Sequence, residues 1–179
     1  MLIRELALVL LVTAASLLDL RRGKIPNALT YPACLFGLGL AAADGGWSGL
    51  TGSLLGLAVG FLPFFALYLL GGLGGGDVKL MAAVGALMGY PFILNALVTS
   101  VLVGGLIALL LVIWEGKLWQ AIRFLGLTVG RVFIPGLQRE PLSARQNVPF
   151  GVAICLGSFL TLLCVWRGYA SPAQLLASL

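Results

Sequence analysis

The sequence predicts an all-α, polytopic membrane protein with about six transmembrane helices and an interfacial segment between the fifth and the sixth. Three observations carry that expectation. Hydrophobic residues make up 60% of the 179 positions, and the mean hydropathy is +1.09. Only 9% of the residues are charged, well below the roughly 25% usual in a soluble domain. The apolar residues also fall in runs separated by short breaks, as expected of helices that must satisfy their own backbone in lipid.

Taken in order, the first span runs from about Ile3 to Leu18. A secretory signal peptide would carry its basic residues ahead of the apolar run. Here Arg21, Arg22 and Lys24 follow it, so it reads as a retained helix. The second span, about Pro26 to Ala43, ends at Asp44-Gly45-Gly46-Trp47. The third, about Leu50 to Leu70, stops at Gly71-Gly72-Leu73-Gly74-Gly75-Gly76. A short apolar segment, Val78 to Tyr90, follows Asp77. It holds a G-x-x-x-G spacing at Gly85 and Gly89, which reads as a close helix contact. The fifth span covers about Phe92 to Ile113 and the last about Val148 to Trp166. Between them, residues 114–147 mix apolar and charged positions. Phe124 to Val132, with Arg123 before it and Arg131 inside it, suits a helix lying on the membrane better than one crossing it. The whole of 1–179 is read as one membrane domain, with 114–147 a cytoplasmic or interfacial segment within it.

Placing both termini outside puts nine of the 11 basic residues at the cytoplasmic side and leaves Arg4 and Arg167 outside. Trp47 and Trp166 then fall at outer ends, and Trp114 and Trp119 at the inner one. The +5 net charge is thus explained by topology, with the lipid bilayer as partner and no nucleic acid. The chain has no histidine, and its cysteines at 34, 155 and 164 form no Cys-x-x-Cys pair. A Cys/His zinc site, a Ser-His-Asp triad and a Cys-His pair are excluded on inventory. No cofactor or metal is expected.

Of the six acidic residues, Glu5, Asp44, Glu115 and Glu140 lie at helix ends or in charged segments. Asp19 and Asp77 do not: the first continues an apolar span, and the second joins the glycine run to an apolar helix. The expected topology puts both at one membrane level. The plain explanation is that Asp19 pairs with nearby arginines and that Asp77 caps its helix. The chemical alternative is that the two carboxylates meet in a partly desolvated cavity and share a proton. One would then activate water while the other polarises a carbonyl. A phosphate-binding loop is disfavoured, because Gly76 is followed by Asp77 and Val78 rather than by Lys and Ser/Thr.

The run GGGD, Gly74 to Asp77, resembles the G-x-G-D motif of the type IV prepilin peptidase family of membrane aspartic proteases. DLRRGKIPNALT, Asp19 to Thr30, looks like that family's first aspartate with its basic stretch and Ile-Pro-Asn turn. VPFGVAI, Val148 to Ile154, is similar to the Pro-aromatic-Gly signature opening its last helix. The resemblance implies an intramembrane aspartic endopeptidase of the bacterial inner membrane, working near the cytoplasmic face. It implies removal of the leader from pilin or pilin-like precursors. Asp19 and Asp77 correspond to the catalytic aspartates and Gly74 and Gly76 to the motif glycines; Lys79 is given a supporting role in holding the Asp77 loop. Longer bacterial members carry a cytoplasmic insertion with paired Cys-x-x-Cys motifs and methylate the new N-terminus. Only a few residues separate the first span from Ile25, so methylation is not expected, and the chain resembles the short peptidases of tight-adherence pili. The alternative function is a non-enzymatic channel or transporter in which Asp19 and Asp77 relay protons or ions.

Overall fold

The structure is a computed structural model, and it describes residues 2–114 and 150–168. The described residues form five helices and no strand: α1 Leu2–Arg22, α2 Asn27–Leu69, α3 Gly75–Met88, α4 Tyr90–Trp114 and α5 Phe150–Trp166. The all-α class holds. The expected six transmembrane helices do not: among the described residues only Asn27–Leu69 and Tyr90–Trp114 are long and apolar enough to cross a membrane.

Length and charge account for the correction. At about 1.5 Å per residue, the 14 residues of α3 reach about 21 Å, short of the roughly 30 Å of a bilayer core. The 17 residues of α5 reach about 26 Å by the same rise. Helix α1 continues beyond Leu18 and takes in Asp19, Arg21 and Arg22 as well as Arg4 and Glu5, so it carries charge at both ends. The expected second and third spans are two helical stretches that run together as α2 and meet at a kink at Gly46, at φ 55 and ψ −136, inside the expected Asp44–Trp47 break. That left-handed φ suits glycine, and it lets the chain turn sharply without a loop. Gly49 consequently lies against the Ala41 carbonyl, too close for any side chain. The interfacial segment expected over 114–147 lies almost wholly outside the described residues.

The chain divides into two compact units, residues 1–104 with 149–179 and residues 105–148. The second is described only over 105–114, the last turns of α4. In the first, α3 is the buried element: Asp77, Val78 and every residue from Leu80 to Leu87 are buried. It can sink this far because glycines let backbones touch. Gly85 of α3 meets Gly56 of α2, and Gly37 and Gly60 of α2 leave no room for a side chain against Ala86 and Met81. Ser53 donates a hydrogen bond to the Ala86 carbonyl across the same contact. Gly89 shares the contact, its backbone lying against Gly56, and it also ends α3 at φ 82.

Helices α1 and α5 run antiparallel and are tied at both ends. Trp166 Nε1 donates to Glu5 Oε2 at 3.2 Å, and the Gly151 amide donates to Asp19 Oδ2 at 3.0 Å. Thr99 of α4 bonds the Gly157 carbonyl at 2.9 Å and meets Thr161 at 3.0 Å. These short polar side chains satisfy themselves on neighbouring helices, as a water-poor environment requires.

Candidate active site

Helix α1 carries Asp19 on its last full turn, and the chain then passes through Gly23, at φ 61, into Ile25-Pro26-Asn27 and α2. Pro26 is extended and precedes the first helical residue, where a missing amide hydrogen costs little. Asp77 stands three residues beyond Gly74, the cap of α3. Its Oδ2 accepts the Gly74 amide at 3.2 Å, and its own amide donates to the Gly74 carbonyl at 3.1 Å. Asp77 therefore caps its helix not as the N-cap, which is Gly74, but from the third position by reaching back to it, and it is buried there, only 8% exposed.

That burial, and then the charge of Asp19, push the Asp77 carboxyl up from its ordinary value to about 7, with the Gly74 hydrogen bond pulling the other way. Asp77 lies outside the two helices long enough to cross a membrane. Asp19 lies near enough for its charge to act on Asp77. Asp19 is half-buried. Its expected pairing with the nearby arginines is not seen: among the described residues the one ion pair is Arg4–Asp44, at 2.9 Å. Its carboxylate instead takes the Gly151 amide, one of the first amides of α5, which have no acceptor within their own helix.

The motif glycines have steric reasons. A Cβ on Gly74 would stand 3.0 Å from Asp77 Oδ2, and one on Gly76 would stand 3.1 Å from the Cβ of buried Ile25. Glycine at 76 thus lets the Asp77 turn rest on the Ile-Pro-Asn segment that follows Asp19. Lys79 reaches the same segment. Its Nζ donates to Asn27 Oδ1 at 2.8 Å and lies 5.5 Å from the centre of the Tyr31 ring. The lysine was expected to support the Asp77 loop, and it ties that end of α3 to the start of α2.

Two further residues, Asn27 and Gly151, belong to this site. Both lie within family motifs, and the motif spacing is the signal that could have singled them out. Val148 and Pro149 of the third motif lie outside the described residues.

A scan against protein families matches the Type IV leader peptidase family over residues 6–109, more than half of the chain and a stretch that includes both aspartates. The chain is 33% identical over 113 residues to the prepilin leader peptidase/N-methyltransferase of Xanthomonas campestris pv. campestris, covering 59% of this chain and 39% of that protein. It is 32% identical over 124 residues to the protein so named from Bacillus subtilis, covering 69% and 39%. With the Myxococcus xanthus protein of that name the identity is 30% over 123 residues, covering 65% and 36%. The matched part is thus well under half the length of these relatives. No solved structure matches the chain significantly.

Proposed function

The chain belongs to the type IV leader peptidase family, and on that premise we propose that it is an intramembrane aspartic endopeptidase with Asp19 and Asp77 as its catalytic pair. Its substrates in this reading are type IV pilin-like precursors, from which it removes the leader peptide. The observation that carries the reading is a buried Asp77 placed where the charge of Asp19, an acid from a separate motif, acts on it.

Neighbouring carboxyls in a desolvated site resist ionising together, and in this reading the active pair holds one shared proton. The ionised carboxylate takes a proton from water, and the water oxygen bonds to the scissile carbonyl carbon. The protonated carboxyl meanwhile gives its proton to the carbonyl oxygen. Collapse of the tetrahedral intermediate breaks the C–N bond. The proton taken from water passes to the departing amine, and the carbonyl oxygen returns its own to the pair. Gly74 and Gly76 support this by letting the Asp77 turn pack tightly, and Lys79 by tying that turn to Asn27.

Arg21, Arg22, Lys24 and Lys79 lie close in sequence to the two aspartates, which supports a site at the cytoplasmic face of the bacterial inner membrane. Subunits of the tight-adherence type of pilus are the favoured substrates, on the resemblance to short family members. Amino-terminal methylation is not part of the proposed activity.

The test is co-expression with prepilins, scoring leader removal at matched enzyme levels for Asp19→Asn, Asp77→Asn and Asp44→Asn. The first two should abolish cleavage. Asp44, whose side chain is 61% exposed and paired with Arg4, should be dispensable. Cleavage near the native rate by either site variant overturns the two-carboxylate mechanism.

A further inference from the structure

We infer that Phe150 and Gly151 at the start of α5 form a positioning device for Asp19, in which Phe150 anchors the helix end and the Gly151 amide holds one carboxylate oxygen. The catalytic consequence rests on the two-aspartate reading above, whereas the contact stands on geometry alone.

Gly151 donates its amide to Asp19 Oδ2 at 3.0 Å. As a first-turn amide it has no acceptor within its own helix, and a carboxylate is the favoured partner for that positive end. The approach also depends on the missing side chain. A Cβ on Gly151 would lie 2.8 Å from Asp19 Oδ2, 3.0 Å from its Cβ and 3.1 Å from its Cγ. Even alanine would force the carboxyl or the helix end to move.

The helix end is in turn held from its other side. The Phe150 ring meets the fully buried Phe64 ring edge-on, with centroids 6.0 Å apart and planes at 74°. It also fills the space beside Gly104, where a Cβ would come within 2.6 Å of the ring. The Trp166–Glu5 bond fixes the far end of α5 on the same helix that bears Asp19. Sliding of α5 along α1 is therefore resisted at both ends, and the grip on Asp19 has a defined height. Positioning of this kind matters for chemistry, because misplacing a reacting group by about 1 Å can cost about 100-fold in rate.

The test uses the full chain in detergent and a purified prepilin that the native chain cleaves. At matched amounts of folded enzyme, Gly151→Ala should lower kcat at least about tenfold with KM within about twofold, the pattern of a displaced reacting group. Gly157→Ala is the packing comparator. It crowds Ser100 of α4 as severely, with a Cβ 2.6 Å from the Ser100 amide nitrogen, but does not touch Asp19. It should keep kcat per folded molecule. A native-like kcat in Gly151→Ala, or an equal loss in the two variants, overturns the inference while Asp19→Asn remains inactive. An active Asp19→Asn instead sinks the two-aspartate reading. The contact is then read separately by hydrogen exchange: the Gly151 amide should exchange at least about tenfold faster in Asp19→Ala than in the native chain, and unchanged protection overturns the grip itself.

Discussion

Replacing Asp77 by Asn should abolish cleavage and at the same time relieve the fold of a pH-dependent strain. Burial first and the Asp19 charge second push the Asp77 carboxyl from 3.8 up to about 7. An unfolded chain would release that proton near the ordinary value. Between about pH 4 and 7, therefore, the folded state holds a proton that the unfolded state has lost, and stability falls as pH rises through that window. Below it both states are protonated; above it both are ionised and the loss is complete. At about 1.36 kcal/mol per pH unit, the full effect is bounded at about 4 kcal/mol. Asn carries no charge at any of these pH values and keeps an oxygen able to accept the Gly74 amide. The measurement is thermal unfolding of detergent-purified native and Asp77→Asn protein from pH 4 to 8. The native melting temperature should fall relative to the variant's as pH rises, and at pH 8 the variant should match or exceed the native protein. Native cleavage should drop about tenfold per pH unit above pH 7 if the protonated Asp77 is the acid. A native-minus-variant difference that stays flat between pH 5 and 8 would falsify the argument, because the carboxyl would then be ionised and well solvated throughout.

Gly85→Ala should lower stability by about 1–3 kcal/mol, as overpacking a close contact does, because its Cβ would collide with the Gly56 carbonyl. Gly39→Ala, with nothing within 4 Å of the added atom, is the control, and equal melting temperatures would contradict the backbone contact. Lys79→Ala and Asn27→Ala should each cost up to about 1 kcal/mol, little for a charged hydrogen bond because this one is exposed, and the double variant should cost no more than one single. Additive losses would mean that the two side chains act separately. Cleavage should survive strong chelation and thiol alkylation, since the chain has no histidine and its cysteines form no Cys-x-x-Cys pair. Zinc whose removal stopped turnover would refute the carboxylate chemistry.

Composition placed the chain with membranes, because 60% hydrophobic residues cannot be covered by 9% charged ones in water, and the long unbroken apolar runs made it helical. The sequence alone picked out Asp19 and Asp77, acids that stand out against an apolar background, while the parts of Gly74, Gly76 and Lys79 came only with the family resemblance. Counting spans from apolar runs went wrong for a physical reason: hydropathy registers how greasy a run is, not where its helix begins and ends. Its break at Asp44–Trp47 does fall at the Gly46 kink inside α2, but it gave α3 a crossing that 14 residues cannot complete. The partners of the two aspartates were beyond sequence altogether. Whether Asp19 met Arg21, Arg22 or the amide of Gly151, 132 positions away, depended on α1 and α5 packing antiparallel with the right height between them. The burial that raises the Asp77 carboxyl likewise depended on glycines of α2 and α3 letting two backbones touch. Hydropathy and local pattern are properties of neighbours along the chain, and a carboxyl's protonation is a property of neighbours in space.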